Sequence, residues 1–97
     1  MATYISLINW TEQGIKGFKD SLKRAEAFQR TLEQQGGSLR DIYWTVGQYD
    51  IVAIADAPNA ETITSVLLQV GALGNVRTTT LQAFDKDTFA TIVNKAG

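Results

Sequence analysis

The six residues Ile51-Val52-Ala53-Ile54-Ala55-Asp56 restrict this chain more than any other segment. The run is short, rich in β-formers, and closed on its far side by Pro58, so it reads as a strand. Side chains on a strand alternate between faces. Ile51, Ala53 and Ala55 therefore share one face, and Val52, Ile54 and Asp56 share the other. Both faces are largely apolar, whereas a sheet with one wet face alternates cleanly. The first strand, Ala2 to Asn9, has the same character. Ile5 and Leu7 lie on one side, and Tyr4, Ile8 and Trp10 on the other. A sheet built from these strands needs cover on both faces.

The other elements say what covers the first face. Thr11 is placed to cap a short helical turn, which Gly14 and Gly17 weaken at about 1 kcal/mol each relative to Ala. From about Lys19 to Gln35 the spacing of Ile15, Phe18, Leu22, Ala25 and Leu32 predicts an amphipathic helix. Acid-before-base pairs four apart support it at Glu12–Lys16, Asp20–Arg24 and Glu26–Arg30, and Gly36-Gly37 stops it. Ser38 to Val46 reads as strand two, joined to strand three as a hairpin. Asn59 then caps a helix with a buried stripe of Ile63, Val66, Leu67 and Val70, which ends at Gly71 and Gly74-Asn75. Val76 to Phe84 reads as strand four. Asp85 caps a short terminal helix, with Phe84 and Phe89 at the spacing of a hydrophobic staple. The order is β-α-β-β-α-β plus a tail helix. This is the ferredoxin-like pattern, an α+β fold with both main helices on one face of an antiparallel four-stranded sheet.

The second face needs another partner. Leaving three or four aliphatic side chains and an aromatic bare forfeits roughly 5–10 kcal/mol, comparable with the roughly 5–15 kcal/mol stability of a whole domain. A chain of 97 residues holds one domain, so the expected cover is a second copy. The competing cover is the tail helix, which offers only Phe89, Ile92 and Val93.

Composition narrows the chemistry. The chain has no cysteine and no histidine, so disulfides, thiolate chemistry and histidine-based catalysis or ligation are excluded. Nine basic and ten acidic side chains nearly cancel, and neither half forms a basic arm or an acidic tail. No apolar run reaches the roughly 20 residues of a membrane span, and the N-terminus does not resemble a signal peptide.

A few clusters remain as candidates. Gly47-Gln48-Tyr49-Asp50 is first of all a turn, in which Gly47 supplies an unusual backbone angle and Asp50 bonds turn amides. Its functional alternative places Tyr49 and Asp50 in a pocket at the sheet edge or subunit seam. Trp10 and Trp44 lie near strand ends, as core or interface residues or as walls for a flat ligand. Arg77, beside Thr78, Thr79 and Thr80, either protects an edge strand or clamps a carboxylate. Gly71 to Asn75 follows a helix and carries no lysine, so it is not a phosphate loop. Asp85 and Asp87 are explained by capping.

Three segments, YISLINWTEQGI, IYWTVGQYDIVAIADAP and GALGNVRTTTLQAF, resemble the GYD-domain family. Its signature is represented here by Gly47, Tyr49 and Asp50. The likeness spans nearly the whole chain, with the three motifs in order. It implies a ferredoxin-like fold of the dimeric α+β barrel type and no particular activity. The G-x-Y-D hairpin is also similar to one in the effector-binding domains of feast/famine transcription regulators, which assemble and bind amino acids. This chain lacks their helix-turn-helix. Among dimeric α+β barrels, haem enzymes typically use a histidine that is absent here. Cofactor-free monooxygenases often use Trp, Asn, Tyr or Arg, the residue types of Asn9, Trp10, Trp44 and Arg77, but matched types are not a matched motif.

The expectation is one cytoplasmic domain over residues 1–97, partnered with itself as a dimer or higher oligomer and having a binding or assembly role. A small molecule at the subunit seam would meet Trp10, Trp44, Tyr49, Asp50 and Arg77, with Gly47 as a structural turn. No catalytic or metal-ligating residue is assigned, and no cofactor, nucleic acid or membrane partner is expected. The alternative is a cofactor-independent enzyme, monooxygenase- or isomerase-like, with Tyr49 and Asp50 as its acid/base element. Such an enzyme requires an enclosed cavity of roughly 300 Å³ or more with convergent polar groups.

Overall fold

The computed structural model describes residues 1–97. The strands are β1 (Ala2–Trp10), β2 (Ser38–Trp44), β3 (Ile51–Ala57) and β4 (Val76–Ala83). The helices are α1 (Glu12–Lys16), α2 (Ser21–Gln34), α3 (Ala60–Ala72) and α4 (Lys86–Ala96), with a 3-10 turn at Phe18–Asp20. The sheet is antiparallel in the order β2-β3-β1-β4. This is the expected ferredoxin-like order, with α2 and α3 on one face.

Alternation along β1 and β3 sorts the core. Tyr4, Ser6 and Ile8 of β1 and Ile51, Ala53, Ala55 and Ala57 of β3 are buried beneath the helices. Phe28 and Leu32 of α2 and Ile63 and Val66 of α3 close that layer. The opposite, helix-free face carries Ile5 and Leu7 of β1 opposite Ile54 and Val52 of β3. Both sets are half-buried by neighbours within the sheet.

Helix α2 differs from the expected stripe. Leu22 is 68% exposed, and Ile15 and Phe18 also face solvent. Leu32 is buried as expected, and Ser21 and Phe28, which the stripe omitted, complete the buried face. The break at Gly17 and the 3-10 turn rotate α2 relative to α1, so a stripe drawn through both does not continue. Only Glu12–Lys16 forms an ion pair among the three expected, at 3.3 Å. Arg24 turns away from Asp20 and donates to the carbonyls of Gly14 (3.1 Å) and Gly17 (2.7 Å), satisfying the open end of α1. At the other end of α2, Gly36 adopts φ +88°. Gly37 N–H donates to Leu32 O (2.9 Å) and Gly36 N–H to Glu33 O (3.1 Å), the two bonds of a Schellman stop.

Strand β2 ends at Trp44, two residues before the expected limit, because Thr45 belongs to the following loop. Thr45 N–H donates to Asp50 O at 2.8 Å, and its hydroxyl donates to Tyr49 O at 2.6 Å. A register shift between Leu39 and Asp41 bulges β2 at Arg40, which reaches Asp56 at 3.6 Å. Asn59 and Asp85 cap α3 and α4 as their positions suggest, accepting from the N–H of Thr62 (2.9 Å) and Thr88 (2.7 Å).

Helix α4 does not cover the helix-free face. None of its residues is buried, and it has no substantial packing against the sheet or the other helices. Phe84 and Phe89, placed for a staple, are both about half exposed. The radius of gyration is 14.5 Å, against roughly 12.5 Å for a compact chain of this length, and the long axis is 50 Å.

Candidate functional site

The hairpin loop carries the first candidate residues. Gly47 has φ +130°, the left-handed region that favours glycine, and it bends the chain out of β2. Two hydrogen bonds join Asp50 to β1. Its N–H donates to Ile8 O at 2.9 Å, and its carboxylate accepts the backbone N–H of Trp10 at 2.9 Å. The second bond puts a charged oxygen where a continued strand would have offered a carbonyl. Asp50 thus fastens the hairpin to the end of β1, rather than bonding the amides of its own turn as expected. The Tyr49 backbone carbonyl is held by the Thr45 hydroxyl, and its side chain is half-buried.

The two tryptophans end neighbouring parts of the helix-covered face. Trp10 pairs with Val76 and Trp44 with Ile51, and both Val76 and Ile51 line a cavity with Trp10. The Trp44 indole N–H donates to Ser21 Oγ at 2.8 Å, pinning the edge strand to the first turn of α2. Arg77 lies on the opposite face, level with Asn9 and exposed. The candidates therefore separate: Trp10 and Trp44 are on the helix side of the sheet, the latter exposed at its edge, Tyr49 and Asp50 belong to the hairpin, and Arg77 sits on the helix-free face.

The cavity measures about 300 Å³ and lies between α2, α3 and the sheet. Ile8, Trp10, Ile42, Ile51 and Val76 come from the strands. Phe28 comes from α2, and Leu67 and Val70 from α3. Its polar lining includes Ser21, Thr31, Gln69 and Thr78, and its one charged residue is Arg24. Of the sequence candidates only Trp10 lines it. Ser21 and Arg24 were not legible as site residues, because the stripe assigned to α2 ran through Leu22. The Phe28–Leu32 step, four residues apart, is the signal that identifies the true buried face.

Two further features bear on function. The helix-free face has Ile5, Leu7, Val52 and Ile54 at its centre, flanked by Tyr43 (55% exposed) and Leu81 (48%). Its rim is polar. Asp56 accepts the Thr3 hydroxyl at 2.7 Å and meets Arg40, while Asn9 and Arg77 sit at the other end. Helix α4 adds Phe89, Ile92 and Val93, which recur at three- and four-residue steps and lack cover. No helix is long and apolar enough to cross a membrane.

Known proteins resemble this chain in sequence or in fold. A Thermus thermophilus protein named glutamine synthetase and cystathionine beta-lyase binding protein is 31% identical over 85 residues, covering 86% of this chain and 88% of its own. The crystal structure of TTHA0845 from the same organism has a TM-score of 0.56 at 26% identity, covering 88% of this chain and 95% of that one. A Mycobacterium tuberculosis feast or famine regulatory protein, solved with L-methionine, has a TM-score of 0.66 at 15% identity. The match covers 89% of this chain but 52% of the regulator, and it establishes likeness of fold alone. Residues 4–93 match the GYD domain model, a span that contains the Gly47 bend and the Asp50 clasp; the chain belongs to the GYD-domain family.

Proposed function

We propose that this chain is a small, soluble, single-domain module that assembles with copies of itself and has a binding role toward a partner protein. The observation that carries the assembly is the helix-free face, with Ile5, Leu7, Val52 and Ile54 at its centre and exposed Tyr43 and Leu81 beside them. A second copy covers that face with the same residues in a self-complementary interface. Helix α4 belongs to the same assembly. Isolated helices of its 11-residue length are marginal in water, so its apolar stripe of Phe89, Ile92 and Val93 calls for a docking surface that its own domain does not provide. The binding role draws support from the T. thermophilus relative, whose name assigns it two enzymes as partners. An enzymatic role for Tyr49 and Asp50 has less to draw on, because neither lines the cavity and the Asp50 carboxylate is engaged by Trp10 N–H.

Sedimentation at micromolar concentration tests the assembly. The expected species is a multiple of 10.6 kDa. Ile54→Glu, at the centre of the helix-free face, is expected to shift it to the monomer while leaving the circular dichroism spectrum folded. A wild-type protein that sediments only at 10.6 kDa overturns the proposal.

A further inference from the structure

Arg24 is half-buried at the edge of an apolar cavity and has no carboxylate partner. The two ion pairs of the chain are Glu12–Lys16 and Arg40–Asp56, and the contacts Arg24 does make are to the carbonyls of Gly14 and Gly17. Those contacts engage one N–H on each terminal nitrogen, and a guanidinium carries five N–H groups. Its guanidinium thus bonds carbonyl oxygens and has no carboxylate within 4.0 Å, beside a cavity of about 300 Å³ that contains no other charged residue. A half-buried cation in such a setting favours an anionic partner.

From this geometry we propose that the cavity between α2, α3 and the sheet binds a small hydrophobic monocarboxylate. The carboxylate pairs with the free edge of Arg24, and an aryl or short alkyl tail lies against Trp10, Phe28 and Val70. Two features set the class. The lining holds a cation but no Asp or Glu, so it offers no counter-charge to an ammonium group, and a free amino acid is disfavoured relative to a plain carboxylic acid. The volume lies at the lower end of small-molecule sites, which suits a ligand of one ring or a short chain. Ser21 supplies a polar anchor. Trp44 N–H occupies its oxygen as an acceptor at 2.8 Å, leaving the hydroxyl proton available to a ligand oxygen. This site lies on the helix side of the sheet, so it stands independently of the assembly proposed for the other side.

The test is a titration of the full-length protein, labelled with nitrogen-15, followed by proton–nitrogen NMR. The probes are phenylacetate and hexanoate, compared with 2-phenylethanol and phenethylamine as neutral and cationic partners of matched size. Phenylacetate and hexanoate are expected to move the Trp10 indole signal and the α2 and α3 amides saturably. The alcohol should bind roughly tenfold or more weakly, and the amine should not bind. Arg24→Gln is expected to bring acid and alcohol to within about threefold of each other, and Arg24→Lys to restore part of the preference. Val70→Phe, which fills the cavity and leaves Arg24 in place, is expected to abolish binding of both. Equal binding of acid and alcohol to the wild type overturns the proposal. So do shifts mapping outside the cavity, or no saturable shift at millimolar ligand. The wild-type series alone decides the matter if a variant does not fold.

Discussion

Replacing Asp50 with alanine separates a structural clasp from a ligand-binding carboxylate. The Asp50 carboxylate accepts the Trp10 backbone N–H at 2.9 Å, in a part-buried position. Hydrogen bonds to charged groups contribute about 1.5–3 kcal/mol, and an abandoned buried donor costs a similar amount. Asp50→Ala removes the acceptor and leaves Trp10 N–H without a partner at the strand end, so the expected loss is about 2 kcal/mol. For a domain near this size each kcal/mol shifts the melting midpoint by roughly 4–8 °C, giving an expected drop of roughly 8–16 °C. Asp50→Asn keeps a carbonyl acceptor without its charge, and about half that drop is expected. The assay is thermal and urea denaturation at one fixed protein concentration, since self-assembly makes midpoints concentration-dependent. Hydrogen exchange at the Trp10 amide locates the effect, with faster exchange expected there before the rest of β1. An Asp50→Ala protein with an unchanged midpoint and an unchanged Trp10 amide refutes the clasp.

Other substitutions test separate features. Gly14→Ala places a Cβ 1.9 Å from the Asn75 carbonyl oxygen, a clash the backbone must relieve, and a loss of at least about 2 kcal/mol by denaturant melts is expected. Gly71→Ala meets nothing within 4 Å in the last turns of α3, and a gain of up to about 1 kcal/mol is expected in the same assay. Asp85 is held below its ordinary pKa of 3.8, first by the Thr88 backbone N–H and then by the Thr88 hydroxyl. A depressed carboxylate stabilises above its unfolded pKa, and that stabilisation fades as pH falls through the lower folded value. The Thr88 amide signal and α4 helicity are therefore expected to titrate below about pH 4, and Asp85→Asn to remove that titration. Deleting residues 85–97 is expected to weaken self-association in sedimentation while leaving the sheet folded, because α4 has no substantial packing within its own domain.

Much of the architecture follows from local signals. The apolar runs of β1 and β3, the Asn59 and Asp85 caps, and the glycines at 36 and 47 each specify an element or its end through backbone chemistry that neighbours do not alter. The order of those elements then leaves few topologies, and the ferredoxin-like one is observed. The first helical region was less legible. Its apolar residues fit one stripe, but Gly17 breaks the helix, and the rotation after the break exposes Leu22 and buries Ser21.

Of the residues singled out in the sequence, only Trp10 lines the cavity. Trp10, Trp44, Tyr49, Asp50 and Arg77 stand out in sequence because aromatic and charged residues near strand ends are chemically distinctive. Strand register decides which face each one occupies, and it sends Arg77 to the side opposite Trp10. Arg24 shows the same limit. Its sequence neighbour at the favourable spacing is Asp20, yet the guanidinium bonds the open carbonyls at the end of α1 instead. By itself the sequence determined the elements, their order, and the apolar character of both faces of β1 and β3, because periodicity and capping act over a few residues. Only the tertiary structure decided that α4 stands off from the helix-free face, that Asp50 clasps β1, and that a cavity opens beside an unpaired arginine. Those outcomes depend on contacts between residues tens of positions apart, such as Trp10 with Asp50 and Ser21 with Trp44, which no local pattern encodes.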